Sequence, residues 1–345
     1  MSLPRFLAAA ALACFAHLAF AQGDADVDKM FKGRMGGSFG KDIVDVMPNA
    51  KRVAVPAFRV AFVTENHVSA QVRGVYLPGG IDHSGARSSF HLTLQGVTEP
   101  TLRAITDQAY AAFLKELAAS GREVVPLSEL KELFAGFQVS PQGMLKENGG
   151  QKVAFFSPSG MPLVFMLHDG PWGSGGFDLT NYRKLEEISV KTGAAVIAPV
   201  ILVNFAKMRS SGNRSALTAG AAETGAELTM SVPYMQVFYT RGTEFRNGMQ
   251  MGGDQGSFRL EAPILGGSDF GTMRETAHQD NAATKSAFDL LGKSMGMLNA
   301  GGAAQSSTTA VAVVNDQAYA AAANDVLQRM AASMGEWFRK HPPAQ

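Results

Sequence analysis

Cysteine is almost absent from this 345-residue chain, and the single one, Cys14, lies in the apolar run from Phe6 to Phe20. That run follows a basic start at Arg5 and ends in Ala19-Phe20-Ala21, which together make the pattern of a cleavable secretory signal peptide. We therefore expect residues 1–21 to be removed after Ala21. The mature protein would then have no disulfide, no thiolate nucleophile and no cysteine metal site.

A lipid-attachment role for Cys14 is the alternative to the signal-peptide interpretation. Ala11 stands three residues before it and an apolar stretch follows it, which fits the interior of a signal peptide better. The run is also shorter than the roughly 20 apolar residues of a spanning helix, and His17 interrupts it. The expected location is therefore periplasmic or secreted.

An excess of charge of one sign is also missing. The chain has 31 basic and 30 acidic residues, and loss of Arg5 with the signal peptide leaves 30 of each. This balance gives no electrostatic basis for binding nucleic acid or an anionic membrane. The longest later apolar run, residues 194–203, is too short to cross a bilayer, so we expect no integral span after cleavage.

Motifs for metals and nucleotides are likewise lacking. The six histidines beyond the signal peptide show neither His-Glu-x-x-His nor His-x-His spacing; they are His67, His83, His91, His168, His278 and His341. The glycine pairs include no Gly-x-x-x-x-Gly-Lys sequence. We expect no metal and no cofactor.

What the sequence does contain is alternating strand and helix patterns. Strand-like runs lie at 51–63, 90–94, 123–127, 163–167, 194–205, 226–239 and 256–265, and helical periodicity lies at 98–120, 128–134, 181–191 and 315–340. This order predicts an α/β fold whose mixed sheet has flanking helices, a late antiparallel hairpin and a long C-terminal helix. The predicted organisation is a polar tail or linker at 22–50 and one α/β domain at 51–340 with Gly-rich insertions.

One hexapeptide occurs twice, as Asp107-Gln-Ala-Tyr-Ala-Ala112 and as Asp316-Gln-Ala-Tyr-Ala-Ala321. Both copies are expected near the start of a helix, where a carboxylate suits the positive end of the helix dipole. A duplication and the independent use of good helix-starting residues both explain the identity.

The stretch from Pro162 to Val200 resembles the oxyanion-loop region of α/β-hydrolases, because an apolar strand leads into the Gly-rich loop His168–Gly176 and then a helix. In that interpretation His168, Gly170 and Ser174 form the catalytic region. The nucleophile of that family sits in a Gly-x-Ser-x-Gly turn, whereas Ser174 lies in the loop itself. The hydrolase interpretation is therefore kept as the alternative.

The order of elements resembles a second group of proteins more closely. It runs through Val53–Phe58, a helix ending at Ser120, Gly121–Val125, a helix before Thr192–Ile197, two antiparallel strands and a final helix. This outline is similar to the α/β module of the curli-secretion channel protein, the penicillin-binding-protein activator lipoproteins and the TolB amino-terminal domain. It departs from them at Ala195, where an acid is common, and in long insertions at about 60–100 and 136–180.

That resemblance implies a non-enzymatic envelope protein that binds other proteins. The expected function is thus an exported cell-envelope protein acting through protein contacts in secretion, assembly or surface organisation, with no catalytic residue. The partner would be another envelope or secreted protein, and an oligomer is possible. The alternative remains an acyl hydrolase with the His168–Gly176 loop as its oxyanion region.

Overall fold

A computed structural model describes residues 26–34, 43–73, 75–77, 81–83, 85–166, 169–172, 179–213, 221–246, 249–251, 253–280 and 304–344. The proposed signal peptide, Cys14 and the cleavage site after Ala21 lie outside these residues. The helices are α1 (Val27–Met30), α2 (Ile43–Val46), α3 (Glu99–Ala119), α4 (Leu127–Lys131), α5 (Thr180–Thr192) and α6 (Asp316–Lys340). None of the helices in these ranges is both long enough and apolar enough to cross a membrane.

Nineteen strands lie in the same ranges. They are β1 (Phe31–Arg34), β2 (Arg52–Ala54), β3 (Arg59–Val72), β4 (Val75–Leu77), β5 (Ile81–His83), β6 (Ala86–Gln95), β7 (Glu123–Val124), β8 (Val139–Ser140), β9 (Met144–Asn148), β10 (Gln151–Phe156), β11 (Leu163–Val164), β12 (Ala195–Asn213), β13 (Ala221–Arg241), β14 (Glu244–Arg246), β15 (Met249–Met251), β16 (Asp254–Leu260), β17 (Ile264–Leu265), β18 (Gly271–Asp280) and β19 (Ala304–Val314). Thirteen of them form one mixed sheet whose main path is β1-β16-β13-β12-β3-β6-β19-β18. The predicted fold class is confirmed, including the antiparallel pairing of β13 with β16 and the long final helix.

The two long helices lie side by side and run parallel. Thr98 caps α3 through its side chain, and Asn315 caps α6 by accepting the Ala318 amide N–H. Asp316 accepts hydrogen bonds from the start of α3, and Arg339 pairs with Glu116 near the end of both helices. Their apolar faces cover one side of the sheet around Val53, Ile197 and Phe258.

The opposite side of the same strands packs on α4 and α5, so this part of the molecule has three layers. Its core includes Ala54, Val196 and Phe238 from the sheet with Leu130 and Leu185 from the helices. From Ala195 to Ala198 alternate residues of β12 therefore enter different cores, whereas residues 200–203 are all buried in the first core. Burial on both faces explains why residues 194–203 are apolar without a break.

Beyond Val203 the sheet divides. Strand β12 pairs in parallel with β3 from Val200 to Val203, whereas further along β3 pairs with β6 instead. Strands β12 and β13 continue together, with register shifts on both sides of Asn204. At the division, the Asn66 side-chain amide donates to Asn204 Oδ1 over 3.0 Å and Gln151 donates to Asn66 Oδ1 over 2.9 Å.

Several predicted boundaries are corrected. Residues 26–34 and 43–50 are not a tail, because Val27, Phe31 and Met47 are buried in the main core and β1 pairs with β16. Each of these elements has three or four residues, too few for a periodic apolar pattern. The stretch 256–265 is two strands, β16 and β17, rather than one.

Candidate functional site

The loop after β11, where the hydrolase interpretation placed catalysis, is built around a buried ion pair. The Arg59 guanidinium donates to Asp169 Oδ2 over 2.6 Å, and both side chains are at most 2% exposed. Arg59 also donates to the carbonyl oxygens of Val164, Ala198 and Pro199. It therefore joins the loop to β11 and β12.

The ion pair with Arg59 fixes the position of the Asp169 carboxylate. Its carboxylate also accepts the Met166 amide N–H over 2.7 Å. Burial raises the pKa of the Asp169 carboxyl and lowers the pKa of the Arg59 guanidinium, because each loses water around its charge, and the attraction between the two opposes both shifts. Both hydrogen bonds end on Oδ2, and they fix the carboxylate against Arg59 and against the backbone that follows β11.

The next residue, Gly170, has a left-handed φ of +64° and lies against Tyr234. A Cβ at this position would come within 2.0 Å of the Tyr234 hydroxyl, which donates to Gln236 over 2.6 Å. Lys146 Nζ donates to the Trp172 carbonyl oxygen over 2.6 Å and lies 3.5 Å from the centre of the Phe165 ring. Residues 169–172 are thus closely packed against their neighbours.

Only Gly170 of the three suggested catalytic residues can be placed. His168 and Ser174 lie outside the described residues, as do the two segments that match Gly-x-Ser-x-Gly, residues 36–40 and 292–296. Within the described ranges no serine hydroxyl is hydrogen-bonded to a histidine ring; the hydroxyl on His278 is that of Thr308.

A second region has features of a binding surface. We call the distal halves of β12 and β13, residues 206–213 paired with 221–228, the ribbon. Its eight residue pairs follow one another without a register shift. In the described part of the chain neither strand has another strand partner over these residues, since β17 joins β13 at Ser231 and β3 leaves β12 at Val203.

One face of the ribbon packs on the layer formed by β3 and β6. Thr224 and Ser88 share a hydrogen bond of 2.7 Å between their hydroxyls. A Cβ on Gly212 would lie 3.0 Å from Val72 Cγ2. Met208, Ala226 and Leu228 are partly buried on the same face. Small and hydroxyl side chains thus bring the two layers close together.

The other face of the ribbon carries exposed charges of opposite sign on its two strands. Strand β12 contributes Lys207 and Arg209, and β13 contributes Glu223 and Glu227. Lys207 lies directly opposite Glu227, and Arg209 is ion-paired with Glu227. The ribbon therefore has one basic edge and one acidic edge.

Sequence reasoning missed this region because it ended the two strands at Phe205 and Ala226. The extension alternates charged with small residues, whereas a strand is predicted from apolar alternation. The usable signal was the opposite sign of the charges on the two segments around 207–209 and 223–227.

Comparison of the chain with models of protein families, with curated proteins and with solved structures found no match.

Proposed function

We propose that this chain is an exported, non-catalytic cell-envelope protein that acts through protein contacts, and that the ribbon is its contact surface. The observation that carries the proposal is the ribbon's pair of strand edges, one basic and one acidic, with no strand partner among the described residues. Export rests on the pattern of residues 1–21.

Strand edges are sites where another chain can add. An unpaired edge offers a row of backbone N–H and C=O groups at the spacing that a further strand requires.

The charges favour a second copy of this chain as the partner. When two ribbons lie side by side at the same height, β12 of one copy is next to β13 of the other and the antiparallel order continues. Lys207 and Arg209 of one copy then face Glu227 and Glu223 of the next. Opposite charges on neighbouring strands stabilise pairing, whereas like charges oppose it.

Charge reversal on one edge at a time tests this contact. We expect the mature wild-type protein to be larger than one chain when its mass is measured by light scattering over a range of concentrations. The variant Lys207→Glu/Arg209→Glu has two acidic edges, and Glu223→Lys/Glu227→Lys has two basic edges. Each variant alone is expected to be a single chain.

Mixing these two variants is the decisive measurement, because the acidic edges of one then meet the basic edges of the other. We expect the mixture to recover the wild-type mass. The matched control, Lys51→Glu/Lys115→Glu, changes the same amount of exposed charge outside the ribbon and should assemble like wild type. A single-chain wild type, or a mixture that stays at the mass of one chain, would show that the ribbon does not join copies.

Export is tested separately. Expression of the full chain in a bacterial host should give a periplasmic or secreted protein whose first residue is Gln22, identified by mass spectrometry. Retention of Met1 or attachment of lipid at Cys14 would contradict the proposed cleavage.

A further inference from the structure

A polar pocket lies on the face of β3, β6, β19 and β18 that points away from the ribbon. It has a volume of about 250 Å³. Its lining includes His67, Arg87, Ser89, Gln279, Gln305 and Ser307.

Strand register brings these side chains together. In the pairing of β19 with β6, Gln305 lies beside Arg87 and Ser307 lies beside Ser89. In the next pairing, Gln279 of β18 lies opposite Ser307. Paired residues project from the same face of a sheet, so four strands contribute to one surface. The Ser89 hydroxyl donates to the Ser307 hydroxyl over 3.1 Å, and this hydrogen bond lies at the centre of the side chains that line the pocket.

Among the described residues, those that line the pocket are rich in hydrogen-bond donors and include no carboxylate. Across the described residues, no hydrogen bond or ion pair engages the side chains of Arg87, Gln279 or Gln305. The carboxylate of Glu65, in the neighbouring cavity, is already paired with Lys152 over 2.9 Å and lies 3.5 Å from His91. The positive charge of Arg87 is thus left uncompensated beside several hydroxyl and amide groups.

We propose that this pocket binds a tetrahedral oxyanion, a phosphate or sulfate group. A guanidinium presents two parallel N–H donors that match two oxygens of such a group, and charge-assisted hydrogen bonds of this kind are the strong ones. The hydroxyls of Ser89 and Ser307 and the amides of Gln279 and Gln305 supply donors for the remaining oxygens.

The oxyanion could be a free inorganic ion or the phosphate group of a metabolite or glycan. The size of the pocket helps to distinguish these two sources. Its volume exceeds that of one inorganic ion, which leaves room for a small group attached to the phosphate. Inorganic phosphate, sulfate, glucose 6-phosphate and glucose are therefore the four probes. Tighter binding of glucose 6-phosphate than of phosphate assigns the site to a phosphorylated metabolite or glycan, whereas equal binding assigns it to the free anion.

The experiment is a calorimetric titration of the mature protein with each probe at constant ionic strength set by chloride. We expect saturable binding of phosphate, and Arg87→Gln should weaken it by about tenfold or more, as expected for loss of a charge-assisted pair. The matched control is Arg274→Gln, an exposed arginine on the same sheet that does not line the pocket.

The inference holds if Arg87→Gln loses binding while Arg274→Gln keeps it, with equal thermal midpoints for both variants. It is overturned if phosphate and glucose 6-phosphate show no saturable binding. It is overturned equally if both arginine variants weaken binding to the same extent, because the effect would then be one of net charge. The assembly of the ribbon is measured by mass, so each proposal can fail without the other.

Discussion

Tyr110 and Tyr319 occupy the same position in the repeated hexapeptide, and both rings lie in the core. Their hydroxyls have no hydrogen-bond partner within the described residues. Burial raises the pKa of Tyr110 to about 12 and raises the pKa of Tyr319 further, because the charged phenolate would be poorly solvated. The repeat therefore places two aromatic rings in the core at the cost of two buried polar groups.

Replacement of Tyr319 by Phe should stabilise the protein. It removes an unpaired buried hydroxyl and keeps the ring, so we expect the free energy of unfolding to rise by about 1 kcal/mol in urea denaturation. Tyr182→Phe is the control, because the Tyr182 hydroxyl donates to Gln255 over 2.6 Å and its loss should lower stability. A lower stability for Tyr319→Phe would mean that its hydroxyl has a partner such as an internal water.

Asp169→Asn should lower the free energy of unfolding, and by more than Tyr319→Phe raises it. The change leaves the buried Arg59 guanidinium without a carboxylate, and breaking one side of a buried pair typically costs about 3–5 kcal/mol. The exposed pair between Arg329 and Asp325 provides the control, since Asp325→Asn should cost less than about 1 kcal/mol. Urea denaturation of both variants measures the difference, and equal losses would show that the Arg59–Asp169 pair does not hold the loop.

At the scale of elements, one carboxylate joins the starts of α3 and α6. Asp316, the first residue of α6, accepts the Thr101 hydroxyl over 2.6 Å and the Thr98 amide N–H over 3.0 Å. The expectation that both copies of the hexapeptide begin a helix holds for Asp316. It is wrong for Asp107, which lies two turns inside α3 and instead accepts hydrogen bonds from Ser159.

The contribution of Asp316 should depend on pH. These hydrogen bonds favour the ionised form, so the pKa of Asp316 is lowered in the folded state. Its stabilisation is therefore complete above the unfolded pKa of about 3.9 and is lost as the pH falls through the lower folded value. We expect Asp316→Asn to cost about 1 kcal/mol at pH 6 and clearly less at pH 2.5.

The measurement is urea denaturation of the wild type and Asp316→Asn at both pH values. Asp325→Asn, which removes an exposed ion pair within α6, controls for the general effect of losing a negative charge. A cost for Asp316→Asn that is the same at both pH values would contradict the assigned role.

Helices and strands with a clear spacing of apolar residues were predictable from sequence, whereas elements with few buried side chains were not. Helices α3 and α6 were found because capping residues and an apolar stripe agree on them. Strand β19 was missed because its first six residues are small or polar and only its end buries Ala310, Ala312 and Val314. Strand β18 was missed because it is exposed over nearly its whole length, and its register with β19 shifts after Glu275. Without a buried face, a strand carries no apolar alternation.

At the scale of the molecule, the two layers beyond Asn204 should be close enough to join covalently. Residues 22–345 contain no cysteine, which allows a clean test with Val72→Cys/Gly212→Cys in that part of the chain, since a Cβ at Gly212 lies near the Val72 side chain. We expect this variant to form an internal disulfide under mild oxidation, detected as a loss of two free thiols. Val72→Cys/Gly225→Cys is the control, because a Cβ on Gly225 has no neighbour within 4 Å, and it should keep both thiols.

Neither proposed surface was derived from the sequence, because each requires strand pairings that no local pattern fixes. The acidic and basic edges of the ribbon require the register of β12 with β13, and the pocket beside Arg87 requires four strands from three distant segments. The alternation of side-chain types along one strand is a local property of the sequence, whereas the order of strands is set by packing over the whole sheet. The signal-peptide pattern and the charge balance are local or additive, which is why they could be assessed from the sequence alone.

Strand β12 runs from the layers that contain the helices into the ribbon. It begins among the packed helices, supplies the Ala198 and Pro199 carbonyl oxygens to Arg59, and ends in the ribbon. From Pro199 to Gly212 it spans about 43 Å at the usual rise of a strand. A load applied to the ribbon would therefore pass along a single strand to the two carbonyl oxygens that hold the buried Arg59 guanidinium.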